Sequence, residues 1–427
     1  MSQPLEAVIL GAGDRGHFCH GMYAQRNPHK LRIVAVAEPN AVLRERFREL
    51  HHLPPERCFS TWEDLIAAGQ LAPVLMNTTP DHLHAASTIA ALKAGYHVLM
   101  EKPMASTPQE CLQIVRAAEK YDRILQVHHG MRYAPFQTMI HEIIQSGKIG
   151  QVMEYGHREN IAFFHFAHAY VRGNWRRKDT SGPVILTKCC HDLDLIVWYT
   201  GCRSKRLTSF GSLRYYRKEN ASPDYPERCS DGCPAEAECP YHAPRFYLSE
   251  DYIPRMFAQA VTPDLSKEGI LHALRTGPYG RCVFRCDNDV LDNQLTLIEM
   301  EDGTNVTLSM HGFSHDGGRS IRVHGTGGTI MGETLLREII VHDHLTGRQD
   351  ILHPGKVTGG HGGGDDGLIA AFIQSVQAGK QDVMTSGRIS LESHLMAFAA
   401  EESRISGQPV DMAAYRQEVE AQVVDKE

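Results

Sequence analysis

Ala7-Val8-Ile9-Leu10-Gly11-Ala12-Gly13-Asp14-Arg15-Gly16 decides the fold. A short apolar run ends in G-x-G-x-x-G, and a helix pattern follows to about Gln25. Strand, glycine turn and helix in that order give the motif its meaning. Gly11 permits the tight turn, Gly13 lets the backbone approach a pyrophosphate, and Gly16 allows the helix to close on the strand. The helix start directs its free N–H groups, at Asp14 and Arg15, towards the phosphates.

Outward from this turn the chain alternates. Arg32 to Ala37 is a second apolar, β-branched run, and Val74 to Asn77, His97 to Met100 and Ile124 to His128 are others, with helical segments between them. That alternation predicts parallel βαβ units in a doubly wound sheet, a Rossmann domain over about 1–130. Glu38 ends the second strand, 22 residues beyond Gly16, where a carboxylate accepts both ribose hydroxyls and repels a 2′-phosphate. This favours NAD over NADP, although Arg15 and Arg44 could lie close enough to receive a phosphate.

Past about Gly130 the texture changes. A helix-like Phe136 to Ser146 precedes strand-like runs at Val152 to His157, Leu207 to Tyr216, Asn293 to Met300, Asn305 to His311 and Ser320 to His324. Turn signals such as Asp302-Gly303 separate them. The expectation is an open antiparallel sheet with helices on one face, an α+β domain over 131–427 for substrate binding and oligomerisation. An irregular insertion rich in Pro and Cys interrupts it at about 218–286.

The 427 residues suit about two cores, and 42% hydrophobic with 22% charged is a globular composition. A net charge of −7 argues against nucleic acid as partner. No stretch approaches a membrane span, and Met1 to Glu6 has no signal pattern, so a cytoplasmic protein is expected.

Two stretches carry chemistry. Glu101-Lys102-Pro103 follows the strand His97 to Met100, and the carboxyl ends of parallel strands line the ligand crevice. The proline fixes the backbone there, with a cis bond as one option. Lys188-Cys189-Cys190-His191-Asp192-Leu193-Asp194-Leu195 reads as a helix with Lys188, His191 and Leu195 on one face. An imidazole there can take a carbinol proton while hydride leaves, and a lysine can hold the developing alkoxide.

Together with Thr78-Thr79-Pro80-Asp81-His82-Leu83-His84, Arg132-Tyr133-Ala134-Pro135 and Ser146-Gly147-Lys148-Ile149-Gly150, these motifs resemble the Gfo/Idh/MocA oxidoreductases over nearly the whole chain. The resemblance implies hydride transfer between a nicotinamide and a hydroxyl carbon of a sugar or polyol. It implies that Lys102 contacts the nicotinamide ribose and the reacting hydroxyl, that His191 is the acid–base group, and that Lys188 assists. Thr78, Pro80 and His82 would line the nicotinamide, with His84 near the ring and Glu101 beside it. Trp175 and Arg176 would approach the cofactor, and Arg132 and Asp194 the substrate. Many family dehydrogenases carry an Asp four residues before the histidine; here that position is Thr187. The departure leaves room for a relative's chemistry, an NAD-dependent glycosidase or lyase that oxidises its sugar only transiently. A non-catalytic NAD-binding sensor is the third reading. A homodimer or tetramer built on the open sheet is also implied.

Gly360-His361-Gly362-Gly363-Gly364-Asp365-Asp366 precedes a helix. His361 and Asp365 could face the sugar, or the acids could be N-caps alone. In the insertion, Cys229, Cys233 and Cys239, with Cys282 later, make a sensible zinc set. An iron–sulfur cluster or free thiols are the alternatives.

Overall fold

The computed structural model describes residues 3–355, 359–380 and 383–423, and they build two sheets. The first has six parallel strands: β1 (Leu5–Leu10), β2 (Leu31–Ala37), β3 (Cys58–Phe59), β4 (Val74–Asn77), β5 (His97–Met100) and β6 (Leu125–Val127). Their order is β3-β2-β1-β4-β5-β6, so the winding reverses between β1 and β4. A crevice opens at such a reversal, beyond the strands' carboxyl ends. Ala7 to Leu10, Val74 to Asn77 and Val98 to Met100 are wholly buried, as strands covered by helices on both faces must be. Local signals set the helices: in Pro108–Lys120, Thr107 Oγ1 caps the N–H of Glu110 and proline stands at the first position.

The second sheet has nine strands: β7 (Val152–Ala162), β8 (Ser204–Ser212), β9 (Asn293–Met300), β10 (Asn305–Ser314), β11 (Gly318–Gly325), β12 (Gly328–Glu333), β13 (Glu338–Asp343), β14 (Gln349–Leu352) and β15 (Val410–Asp411). The order is β14-β13-β12-β11-β7-β10-β9-β8-β15. Its pairs are antiparallel except β7 with β10, which run parallel, so the sheet is mostly antiparallel rather than wholly so. β7 outruns the expected His157 because β11 and β10 flank it on both sides. Its period of two turns Tyr155, His157, Glu159 and Ile161 inward. β8 stops short of the expected Tyr216 because buried Asp292 Oδ2 accepts the N–H groups of Arg214 and Tyr215, bending the chain away. No helix among the described residues is long and apolar enough to cross a membrane.

The insertion departs most from its sequence reading. It is not irregular throughout: helices Ala243–Tyr247, Tyr252–Val261 and Lys267–Thr276 enclose a small core of Ala243, Tyr247, Ala258, Ile270 and Leu274. The thiols of Cys229, Cys233, Cys239 and Cys282 are close enough to act on one another, but no three of them lie close enough to share an ion, and zinc is not supported. The insertion is knitted instead by buried Arg172, which donates to the carbonyls of Arg281 at 2.8 Å and Tyr241 at 2.7 Å and lies 3.6 Å from Cys229 Sγ. A guanidinium there opposes gathering a dication. Chelation with EDTA should therefore leave the unfolding midpoint unchanged, whereas Arg172→Leu should cost about 2–4 kcal/mol by stranding buried carbonyls. Thermal denaturation of both reads this directly; a midpoint that falls on chelation would restore a metal.

Candidate active site

The glycine turn is built by close approach. Gly11 has φ +88°, and a Cβ on it would lie 2.6 Å from the Thr78 carbonyl oxygen; one on Gly16 would lie 2.1 Å from that of Gly11. Thr78 Oγ1 sits 2.8 Å from the carbonyl oxygens of Leu10 and Gly11, closing the turn from below. No atom lies within 4 Å of where a Cβ on Gly13 would point, so the outer face stays open. Arg15–Gly21 then runs as a π-helical turn into Met22–Arg26. Buried Glu38 accepts the N–H groups of Ala12 at 2.7 Å and Asn40 at 2.8 Å, which fixes its carboxylate at the end of β2. An open glycine face with a carboxylate set beyond it fits a dinucleotide. Arg44 is spent on the Glu38 carbonyl, 2.5 Å away, and Arg15 points elsewhere.

Arg15 enters a buried cluster at the strand ends. It donates to Glu101 at 2.8 Å and to Asp365 at 2.9 Å, and lies 3.3 Å from His128 Nδ1. Burial would push the Glu101 carboxyl up, but Arg15, His128 and His20 hold it well below the usual range. Asp365 also takes His361 Nδ1 at 2.7 Å, and His361 adopts a left-handed φ of +50° in its glycine-rich loop. A non-glycine residue there marks local strain, of the kind found at functional sites. Cys19 with His20 and His128, and His128 with His361 and Asp365, are close enough to suggest a metal. The Arg15 guanidinium already supplies the cation.

Lys102, joined to Pro103 by a cis bond, crosses to the second domain, where its ammonium donates to the Thr187 carbonyl at 2.9 Å. Four residues on, His191 lies in helix Cys190–Thr200. Its Nδ1 is 3.4 Å from His129 Nδ1, its ring centre is 4.6 Å from that of His361, and its buried Nε2 has no hydrogen-bond partner. Burial, then the charges of His361, Lys102, His129 and Arg319, push its pKa well below the ordinary value. The imidazole is neutral, with one nitrogen uncommitted.

Lys188 is not on that helix. It sits in the bend after Val184–Thr187, and its ammonium goes to Glu159, 3.1 Å away. Arg319 stands opposite Glu159 across β11 and β7, bonds it at 2.9 Å, and reaches Asp192 at 2.6 Å. Asp192 also meets His157 Nε2 at 2.7 Å, and Tyr155 closes the chain on His157. Arg132 and Asp194 are each other's bidentate partners, both contacts 2.7 Å and both groups buried, rather than free to reach a ligand.

Other expected residues are scattered. Trp175 Nε1 donates to Asp81 at 3.0 Å, and Arg176 is held by Asp287 at 2.9 Å. His84 is buried, with its nitrogens on the carbonyls of Pro103 and Thr79, and ties two loops together. Pro80 and His82 are exposed. The sequence reading passed over His128, His129, Glu159, His165 and Arg319. The two histidines had a signal, since they end a parallel strand just as Lys102 does. Glu159 and Arg319 had none beyond their alternation.

Residues 5–129 match the family model described as an oxidoreductase family, NAD-binding Rossmann fold, and residues 141–412 match its companion, an oxidoreductase family, C-terminal alpha/beta domain. The chain belongs to the Gfo/Idh/MocA family. YteT of Bacillus subtilis is 25% identical over 343 residues, covering 77% of this chain and 78% of YteT. Inositol 2-dehydrogenase of Corynebacterium glutamicum is 28% identical over 209 residues, 48% of this chain and 56% of that relative. Levoglucosan dehydrogenase, solved with NADH and levoglucosan, superposes with a TM-score of 0.72 at 19% identity, covering 96% of this chain and 100% of that one; the likeness is one of fold.

Within this Gfo/Idh/MocA chain, the residue that departs from the family pattern is accommodated. Thr187 offers no carboxylate, and Lys102 is met by its main-chain oxygen instead. The glycines separate stability from binding. Gly16→Ala should destabilise by about 1–3 kcal/mol through overpacking. Gly13→Ala should leave stability unchanged and weaken NADH binding roughly tenfold, about 1.4 kcal/mol. Thermal denaturation and NADH fluorescence titration read the two effects; equal NADH affinity in Gly13→Ala would contradict the open-face assignment.

Proposed function

We propose that this enzyme is an NAD-dependent dehydrogenase that oxidises a secondary hydroxyl of a sugar or polyol. One observation carries the reading: a neutral, buried imidazole with an unpartnered Nε2 stands beside the Lys102 ammonium, beyond the carboxyl ends of a nucleotide-binding sheet. When bound, NAD supplies the hydride acceptor. His191 Nε2 receives the hydroxyl proton, and Lys102 holds the alkoxide that develops. Lys188, oriented by Glu159, binds a neighbouring hydroxyl, and His361, fixed by Asp365, faces the same space. Gly11, Gly13, Asp14 and Gly16 cradle the pyrophosphate and Glu38 the ribose, which favours NAD over NADP. Thr78, Pro80, His82, Glu101 and Trp175 border the nicotinamide.

The Asp365–His361 pair supports a second reading. A redox-neutral glycosidase or lyase needs a further acid–base group to expel the leaving group, and His361 beside His191 is placed to be one. A panel of sugars and glycosides, read at the NADH absorbance and for released aglycone, separates the two: net NADH marks the dehydrogenase, and aglycone without NADH the other. With an active substrate, Lys102→Met and His191→Asn should each lower kcat by roughly 10²–10⁴-fold while NADH still binds. A base with a depressed pKa fails only once protonated, so kcat/KM should stay level from pH 8 down past 6.5 and fall below it. An acid limb centred at 6.5 or above would remove His191 from the role.

The outer face of the second sheet supports a homodimer or tetramer. Phe210 is 62% exposed and pairs across β8 and β9 with Leu295, which with Leu297 on the same face is 41% exposed. Contiguous apolar surface of this kind marks an interface. Light scattering should give a mass of two or four chains, and Phe210→Glu with Leu297→Glu should reduce it; a monomeric wild type would end the assignment. Eleven unpaired thiols suit a reducing, cytoplasmic setting.

A further inference from the structure

His129 follows β6 and reaches the cleft from the first domain, opposite the helix that carries His191. The two Nδ1 atoms are 3.4 Å apart. Neutral imidazoles in that contact share one proton, so whichever nitrogen carries it fixes both tautomers. If His191 Nδ1 donates, its Nε2 is a bare lone pair. If it accepts, Nε2 bears hydrogen and cannot take a proton.

We propose that His129 is a positioning residue for His191, accepting its Nδ1–H so that the Nε2 lone pair is presented to the cleft. This rests on the reading of His191 as the acid–base group. Both rings are neutral: burial pushes His129 down to about 3, against the pull of Asp194, and depresses His191 as well. The groups around the pair set its direction. Asp194, salt-bridged to Arg132, is the carboxylate that favours a proton on the His129 ring. His394, whose ring centre is 5.5 Å from that of His129, has Nδ1 facing the Ser390 carbonyl at 2.8 Å and Nε2 accepting the Met104 N–H at 3.0 Å, so it offers no proton on that side. Lys102 and Arg319 bring positive charge towards His191, which suits a lone pair there better than a second N–H. His129 then carries its proton on Nε2 and keeps Nδ1 as acceptor. The arrangement does for His191 what a carboxylate partner does for other catalytic histidines, without adding a charge.

The test reads tautomers before turnover. In protein labelled with ¹³C and ¹⁵N histidine, with the His191 resonance assigned by its loss in His191→Asn, the wild type should show His191 neutral and protonated at Nδ1. His129→Asn retains an oxygen acceptor near Nδ1 and should keep that tautomer; His129→Phe should lose it. With an active substrate, His129→Phe should lower kcat roughly 10–100-fold with KM and NADH affinity within about twofold, and His129→Asn should recover most of the loss. A wild-type His191 protonated at Nε2 overturns the proposal, even if neither variant folds. So does a His129→Phe protein with unchanged tautomer and kcat, or a His129→Asn protein no better than His129→Phe. The wild-type spectrum needs no substrate, so absence of hydride transfer would sink the dehydrogenase reading and leave this one to be judged separately.

Discussion

Charge pairing under desolvation is the constraint on which the cleft depends. Five carboxylates, Glu101, Asp365, Asp194, Asp192 and Glu159, are buried, and three arginines take them up: Arg15 the first two, Arg132 the third, Arg319 the last two. An unpaired buried carboxylate would protonate or draw a proton onto the nearest imidazole. With each committed to a guanidinium, burial holds the imidazoles of His128, His129 and His191 below their ordinary pKa. A neutral imidazole with a free nitrogen is what proton abstraction needs, and the pairing leaves one at His191.

The same pairs fix the geometry. Arg15 leaves the nucleotide turn and ends on Asp365, which holds His361; Arg132, in the turn after β6, ends on the helix of His191; Lys102 reaches Thr187 just before that helix. Each link begins at the carboxyl end of the first sheet and ends beside the cleft. Breaking a buried pair of this type costs about 3–5 kcal/mol, enough to keep the substrate-side groups in register with the nucleotide turn.

The local parts of this arrangement were legible in sequence: glycine turn, Glu38, the lysine after β5 and the histidine helix each depend on neighbours a few residues away. The pairings were not. Arg15 and Asp365 are 350 positions apart, and Asp192 and Arg319 127 apart, and neither spacing leaves a trace in local periodicity. The family resemblance places Arg132 and Asp194 at the substrate; only the fold shows that they satisfy each other. Lys188 was placed on the histidine's helix because the helical pattern runs through it, whereas the chain bends there. Strands β12 to β14 escaped notice because each is short and the turns between them blur the alternation.

In the insertion the chemical signal of the cysteines is not matched by a shared ligand geometry. Clustered cysteines in a segment broken by prolines suggested metal, but the apolar side chains, spread over three short helices, assemble a core around aromatic rings. Phe257 of that core lies 5.4 Å from the ring of His165, and His165 is depressed by burial and by the charges of Lys188, His168 and Lys102. The insertion thus packs an aromatic ring against His165. Aromatic contacts of this kind, Phe164 with Phe246 and His168 with Tyr279 among them, tie the insertion to the segment after β7, where shared thiolate ligands would otherwise have to do so.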